Sequence, residues 1–160
     1  MPSKRTLLIT SALFLLMALS ACSGPTDRDM ILDLLEDLAS RGEDRDAAGI
    51  LAKLDQDYTD FEGRDKAQTE DMLGGYFQRY RGIALNILGR EIMDLAPPEA
   101  EARMDVAFSS GAGKVFRKLA EISLDNYRLT LKLRKSDGAW KVYYAEWQPV
   151  SVGELLSDPE

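Results

Sequence analysis

The stretch that decides the fold is residues 127–147, which read YRLTLKLRKSDGAWKVYYAEW. Its first half alternates apolar and polar residues up to Arg134, which is the two-residue period of a strand with one buried face. Ser136-Asp137-Gly138 predicts the turn of a hairpin, because glycine adopts a positive φ without steric cost. The predicted cross-strand pairs are Leu133 with Trp140, Leu131 with Val142, and Leu129 with Tyr144.

Five segments upstream show the periodicity of regular secondary structure. Three carry apolar residues at helical spacing, and two alternate apolar with polar residues. The predicted helices are residues 27–41, with Thr26 as N-cap, 47–54 and 66–80, and the predicted strands are residues 83–95 and 102–108. Gly89 predicts a bulge in the first strand, and residues 114–124 fit either a short helix or a loop. This order predicts an α+β fold in which three helices pack on an antiparallel sheet of four or more strands.

Two adjacent glycines, Gly74 and Gly75, interrupt the third predicted helix, where each costs about 1 kcal/mol relative to alanine. Close packing of the helix against a neighbour would explain them, and so would a hinge that opens a pocket. The apolar residues of this helix, which we predict to face the core, are Met72, Leu73, Tyr76, Phe77 and Tyr80.

The first residues of the chain predict where the protein resides. Lys4 and Arg5 precede an apolar run at residues 7–19, which is shorter than the roughly 20 residues that span a bilayer. We therefore interpret residues 1–21 as a signal peptide. The run ends in Leu-Ser-Ala-Cys, which resembles the lipobox of bacterial lipoproteins. This resemblance implies cleavage before Cys22 and lipidation of its thiol, with residues 22–26 as a short tether. The alternative is an ordinary secretory signal that leaves Cys22 free.

The lipobox resemblance also implies a location and a partner. A lipidated chain is held at the periplasmic face of the bacterial envelope through its N-terminal lipid, and Ser23 after the cysteine is similar to the outer-membrane pattern. The span from Cys22 to Thr26 is four residues, which reach about 14 Å when fully extended. We therefore expect the domain to lie close to the membrane.

Composition excludes several classes of function. Of the 20 basic and 27 acidic residues, only Lys4 and Arg5 lie in the first 21, so the remainder carries a net charge of −9. This charge argues against nucleic acid as a partner, because phosphates require a basic face. The chain has no histidine and one cysteine, so the commonest metal ligands and any disulfide within the chain are missing. We expect no cofactor and no metal.

Residues 27–149 resemble the nuclear transport factor 2-like superfamily, also called SnoaL-like or cystatin-like. The resemblance rests on the order of the elements and on three motifs: Asp-Tyr-Thr-Asp-Phe-Glu-Gly at 57–63, Tyr-Phe-Gln-Arg-Tyr at 76–80, and Asp-Gly-Ala-Trp-Lys-Val at 137–142 with Ala-Glu-Trp after it. It implies a curved sheet that wraps the helices into a cone whose mouth can hold a small ligand. Residues 150–160 form an acidic tail.

The same resemblance implies a test for catalysis. Isomerases of this superfamily use an Asp base with Tyr and acid partners, and Asp57 or Asp60 falls where that base would lie, beside Tyr58. The first helix has no Tyr to act as oxyanion donor, and dehydratases that rely on His are excluded. We therefore expect a non-catalytic domain, with Asp57 and Asp60 forming the turn around Tyr58. The alternative is a small-molecule isomerase, dehydratase or hydrolase that uses an Asp–Tyr pair.

The aromatic residues predict two surfaces. The predicted lining of a pocket for a small apolar ligand is Tyr58, Phe77, Tyr80, Tyr127, Leu129, Trp140 and Tyr144. Trp140 and Trp147 differ in parity, which predicts opposite faces of the last strand. Tyr143 and Trp147 would then form an exposed patch, and such patches usually mark an interface. The expected partner there is a second copy of the chain or another envelope protein. A purely structural envelope subunit, with a filled cone, is a third possibility.

Overall fold

The computed structural model describes residues 24–80, 82–110 and 125–157. It is an α+β fold, as predicted, with helices α1 Asp27–Asp44, α2 Ala47–Ala52, α3 Lys66–Arg79 and α4 Val152–Ser157, and strands β1 Leu54–Asp60, β2 Ile83–Ala96, β3 Glu99–Ser110, β4 Asp125–Ser136 and β5 Ala139–Pro149. The five strands form one sheet in the order β1-β5-β4-β3-β2. The predicted signal peptide, Cys22 and residues 114–124 lie outside the described residues.

The sheet is mixed rather than wholly antiparallel. Strand β1 begins at Leu54, which was predicted to end the second helix. It pairs in parallel with β5, with Leu54 opposite Val142 and Asp60 opposite Ala145. A parallel pair joins residues far apart in the chain, and no turn motif marks it in the sequence. The prediction of an entirely antiparallel sheet was therefore wrong.

Helix α1 begins where its capping residues predict. Thr26 accepts a hydrogen bond from the Asp29 amide, and the Asp29 carboxylate accepts one from the Thr26 amide, which forms a capping box. The helix runs three residues beyond the predicted end at Arg41, until Arg45 adopts a left-handed conformation with φ of 58°. Its apolar stripe buries Ile31, Leu34 and Leu35 against the sheet.

The β4–β5 hairpin forms at the predicted turn but in a different register. Asp137 and Gly138 both have positive φ, 51° and 78°, as a two-residue type I′ turn requires. Ser136 therefore pairs with Ala139, Lys135 with Trp140, and Leu133 with Val142. The predicted pairs of Leu133 with Trp140 and of Leu131 with Val142 were wrong, because each of these β5 residues lies opposite a residue two positions further along β4. Because a shift of two preserves the face of every side chain, Trp140 and Val142 remain in the core.

A bulge at Tyr143 reverses the faces in the second half of β5. The register shifts between the pairs Leu133–Val142 and Lys132–Tyr144, so β5 has one residue more than β4 at this point. Both tyrosines of β5 lie on the outer face: the Arg134 guanidinium is 4.7 Å from the centre of the Tyr143 ring, and Lys132 Nζ is 5.6 Å from that of Tyr144.

The same bulge turns the end of β5 towards the core. Ala145 pairs with Leu131 and Trp147 with Leu129, and Trp147 packs against the buried cluster. The predicted pair of Leu129 with Tyr144 and the predicted opposite faces of Trp140 and Trp147 were both wrong. The extra residue is the cause, because it changes the parity of every side chain after it.

The core lies between α1 and the concave face of the sheet. The largest fully buried side chains are Ile31 and Leu35 of α1, Leu133 of β4 and Val142 of β5. Burial of each contributes about 1.5–3 kcal/mol. Alternate residues of β3 complete the layer: Ala100, Ala102, Met104 and Val106. Within the described ranges, none of the helices is both long and apolar enough to cross a bilayer.

Helix α3 and strand β2 lie at the margins of this core. In α3 the buried residue is Thr69, and Tyr76 is 49% exposed, so the prediction that Tyr76 faces the core was wrong. Tyr76 instead stacks on Tyr80, with ring centres 6.1 Å apart. In β2 the register shifts between Ile87 and Gly89, which confirms the bulge predicted at Gly89.

Candidate functional site

Aromatic side chains collect at the end of the sheet where β3 and β5 finish. Phe61 and Trp147 meet edge to face with ring centres 4.8 Å apart, and Tyr80 meets Phe108 at 5.8 Å. Tyr127 lies between these pairs on β4, on the same face of the sheet. We call these five residues the aromatic end. Phe61 remains 43% exposed, so this end presents ring surface to solvent.

A tight turn at residues 60–64 positions Phe61 at the aromatic end. Gly63 has a φ of 78°, which favours glycine. The Gly63 amide donates to the Asp60 carbonyl, and the Asp60 amide donates to the Arg64 carbonyl. The Phe61 amide donates to the Ala145 carbonyl at 3.0 Å. The turn is thereby attached to β5 two residues before Trp147, which explains the contact between the two rings.

The Asp60 carboxylate holds this turn closed. Its Oδ1 accepts the Glu62 and Arg64 amides, both at 2.9 Å, and its Oδ2 accepts Arg64 Nε at 2.7 Å. Asp60 is only 3% exposed. Both oxygens are therefore engaged within the turn, which follows Tyr58 and does not include Asp57.

Arg64 connects the turn to the aromatic end. Its guanidinium pairs with Asp60 and Glu62, and its Cζ lies 5.3 Å from the centre of the Trp147 ring, within the range of a cation–π interaction. Arg64 Nη2 is buried with no hydrogen-bond partner among the described residues. Arg64 was not predicted as a site residue. Its position could have indicated such a turn, because Gly lies three positions after Asp60 and Arg lies four positions after it.

The candidate catalytic residues do not form an Asp–Tyr pair with a free acid. Tyr58 and Asp60 are buried on one face of β1, whereas Asp57, which precedes Tyr58, is exposed on the other. Burial raises the pKa of Tyr58 to about 12, and the negative charge of Asp60 adds to this effect. Asp57 thus points away from Tyr58, and the acid on the same face as Tyr58 is already bound by Arg64.

The predicted pocket residues separate into four groups. Tyr80, Tyr127 and Leu129 lie at or beside the aromatic end, Tyr58 and Trp140 are buried, Phe77 is half-buried on α3, and Tyr144 lies on the outer face of the sheet. Tyr144 is therefore not part of an inner lining. The predicted interface pair also separates, because Tyr143 lies on the outer face and Trp147 on the inner one.

Comparison with known proteins gives a fold and no sequence family. No protein-family model matches the sequence, and no curated protein matches it. Among solved structures, a nuclear transport factor 2-like protein of unknown function from Pseudomonas putida aligns with a TM-score of 0.63 at 18% identity, covering 82% of this chain and 94% of the other. The domain has the nuclear transport factor 2-like fold.

Two further structures share this nuclear transport factor 2-like fold. A Novosphingobium aromaticivorans protein provisionally described as a scytalone dehydratase has a TM-score of 0.60 at 15% identity, with 76% of this chain and 83% of the other covered. Bd1075 from Bdellovibrio bacteriovorus has a TM-score of 0.63 at 15% identity over 76% of this chain. This chain spans only 40% of the length of Bd1075. At sequence identities this low, the similarity concerns the fold alone.

A groove of about 530 Å³ lies on another side of the nuclear transport factor 2-like domain, between α1 and the edge strand β2. Polar groups that line the groove bond to one another across it: Arg90 pairs with Glu36 at 2.6 Å, and Glu43 Oε1 accepts a hydrogen bond from the Leu85 amide at 3.0 Å. In the part of the chain that the structure describes, no group of acidic or Cys side chains is arranged to hold a metal ion. The aromatic end is therefore the better candidate for a binding site.

Proposed function

We propose that the protein is a lipoprotein of the bacterial envelope whose domain binds a small apolar ligand at the aromatic end without transforming it. The anchor is the lipid on Cys22, which holds the domain at the periplasmic face of the outer membrane. The basic residues Lys4 and Arg5, the short apolar run and the Leu-Ser-Ala-Cys sequence support this anchor.

One observation supports the absence of catalysis. The Asp60 carboxylate already accepts hydrogen bonds from the Arg64 side chain and from two backbone amides. A general base needs a carboxylate that can reach the proton of a substrate. Asp60 has both oxygens engaged in its own turn, and Asp57 is exposed on the opposite face of β1. Neither acid is placed to work with Tyr58.

The ligand class follows from the side chains that remain accessible. The aromatic end offers the faces and edges of rings, and Phe61 is exposed there. The Arg64 charge is already balanced by Asp60 and Glu62, so it is not free to select a carboxylate or phosphate. A neutral, apolar and preferably ring-bearing molecule fits these groups best.

The test is a titration of residues 23–160, the mature chain without its lipidated Cys22, with the neutral fluorescent probe N-phenyl-1-naphthylamine. We expect saturable fluorescence enhancement in the wild type. Trp147→Ala should weaken binding about tenfold, because an aromatic contact contributes up to about 1.5 kcal/mol. Tyr144→Ala is the matched control, since this ring lies on the outer face of the same strand and its loss should not change the affinity. Equal effects of the two variants, or no saturation, would refute binding at the aromatic end.

The alternative is an enzyme, and the likeness to the protein provisionally described as a scytalone dehydratase favours it. Native mass spectrometry and chromatography of a co-purified ligand together distinguish the two. A dehydratase returns the ligand without one water, and an isomerase returns it with the same mass and a changed retention time. A binding protein changes neither. If turnover occurs, Tyr58→Phe and Asp57→Asn should abolish it while the protein stays folded.

A dimer mass in the same native mass spectra would favour an additional interface at the outer face of the sheet around Tyr143.

A further inference from the structure

Helix α1 is attached at its first residue to the turn of the β4–β5 hairpin. Asp27 Oδ1 accepts Lys135 Nζ at 2.5 Å and Trp140 Nε1 at 2.9 Å. The Lys135 amide donates to the Pro98 carbonyl at 2.7 Å, which brings the β2–β3 turn to the same place. We call residues 26–29, 97–99 and 134–141 the hairpin end. The proposed lipid tether joins the domain at this end, immediately before Asp27.

The aromatic end lies at the other extreme of the domain. Glu43, near the last residue of α1, accepts the Leu85 amide, and Leu85 pairs with Phe108 of the aromatic end. The 18 residues of α1 extend about 27 Å. Strand β3 covers the same interval from Glu99 to Phe108, which is about 30 Å at 3.3 Å per residue. Helix and strand thus agree that roughly 30 Å separate the two ends.

Charge distinguishes the hairpin end from the rest of the surface. It carries four acidic and four basic side chains, namely Asp27, Asp29, Glu99 and Asp137 with Arg28, Arg134, Lys135 and Lys141. The net charge of −9 that follows removal of residues 1–21 therefore belongs entirely to other parts of the chain. A domain lying on its side would bring this excess negative charge towards anionic headgroups, which repel it. A domain standing on its hairpin end would not.

We infer that the anchored protein stands with its hairpin end towards the membrane and its aromatic end towards the aqueous periplasm. This inference rests on the proposed lipidation of Cys22. Four residues of tether, about 14 Å at full extension, hold the hairpin end near the lipid. The aromatic end then lies too far out to take a lipid from the anchoring bilayer. Its ligand is a water-borne apolar molecule, or one presented by another periplasmic protein.

The test measures the height of single labels above the membrane. The lipid on Cys22 blocks the only native thiol, so one added cysteine is labelled uniquely with a maleimide donor dye. Ser136→Cys places the dye at the hairpin end, and Gln148→Cys places it beside Trp147. Ser40→Cys is the matched control for Ser136→Cys, because it makes the same substitution near the other end of α1. All three positions are exposed. The full-length lipidated proteins are reconstituted into phosphatidylethanolamine and phosphatidylglycerol vesicles that contain a headgroup acceptor dye.

We expect energy transfer from the Ser136 label to be several-fold more efficient than transfer from the Gln148 and Ser40 labels. Equal transfer from the three positions, or stronger transfer from Gln148, would overturn the orientation while leaving the anchor intact. Flotation of each protein with the vesicles is measured first. Failure to float, with the cysteine at position 22 open to the dye, would overturn the anchor itself and with it the orientation. The two failures are therefore distinguished by separate readouts.

Discussion

At the residue scale, Asp60 resembles a catalytic residue in the sequence but has a structural role in the fold. In sequence it stands beside Tyr58 and resembles a catalytic base. In the fold its two oxygens accept three hydrogen bonds from its own turn, including one from the Arg64 side chain. The same turn places the Phe61 ring against the Trp147 ring. Asp60 therefore contributes to the proposed site by shaping it and not by contacting a ligand.

This role predicts the effect of neutralising Asp60. Asp60→Asn keeps an acceptor for the backbone amides but removes the negative charge opposite Arg64, and a hydrogen bond to a charged group is worth about 1.5–3 kcal/mol. We expect the free energy of unfolding to fall by roughly that amount in urea denaturation. Asp57→Asn, at an exposed position on the same strand, should change it by less than about 0.5 kcal/mol. Equal losses in the two variants would contradict the proposed role of Asp60.

At the element scale, the glycine pair of α3 has no packing reason among the described residues. A Cβ added to Gly74 or Gly75 would meet no atom within 4 Å. Close packing, one of the two explanations considered from the sequence, is therefore not observed in the described part of the fold. Gly42 at the end of α1 is different, because a Cβ there would lie 2.7 Å from Leu85 Cδ1.

These contacts predict different effects for the same substitution in two helices. Gly74→Ala and Gly75→Ala should each raise the free energy of unfolding by up to about 1 kcal/mol, since alanine is the better helix former. Gly42→Ala should raise it by less, because the added methyl lies 2.7 Å from Leu85 Cδ1 and the leucine side chain must move aside. Urea denaturation of the three variants checks this. Should the α3 variants gain stability but lose probe binding at the aromatic end, the hinge explanation would be supported instead.

At the scale of the whole molecule, the proposed function depends on the anchor as much as on the domain. Because attachment takes place at Cys22, a Cys22→Ser variant should not be lipidated and should therefore keep its signal peptide uncleaved. The wild type should remain with the membranes, since one acyl chain binds only marginally and two or more anchor stably. Growth with radiolabelled palmitate, followed by precipitation of the protein, measures the lipid directly. Label in Cys22→Ser, or no label in the wild type, would contradict the lipoprotein assignment.

Much of the fold was predictable from neighbouring residues. Thr26 with Asp29, the Asp137-Gly138 turn and Gly89 each specify a local conformation within a few residues, and the helix cap, the hairpin and the bulge occur where they predict. The α+β class followed from the order of such elements. Local hydrogen bonds and allowed φ values act regardless of the rest of the chain, which is why the sequence by itself determined them.

What only the tertiary structure decided involves partners that are distant in the chain or parity that a single residue can reverse. The parallel pairing of β1 with β5 joins residues more than 80 positions apart, as in Leu54 with Val142. The bulge at Tyr143 moved Trp147 inside and Tyr144 outside. The contact of Arg64 with Trp147 required both. Such arrangements minimise the free energy of the whole sheet and core, and no short window of sequence contains both partners.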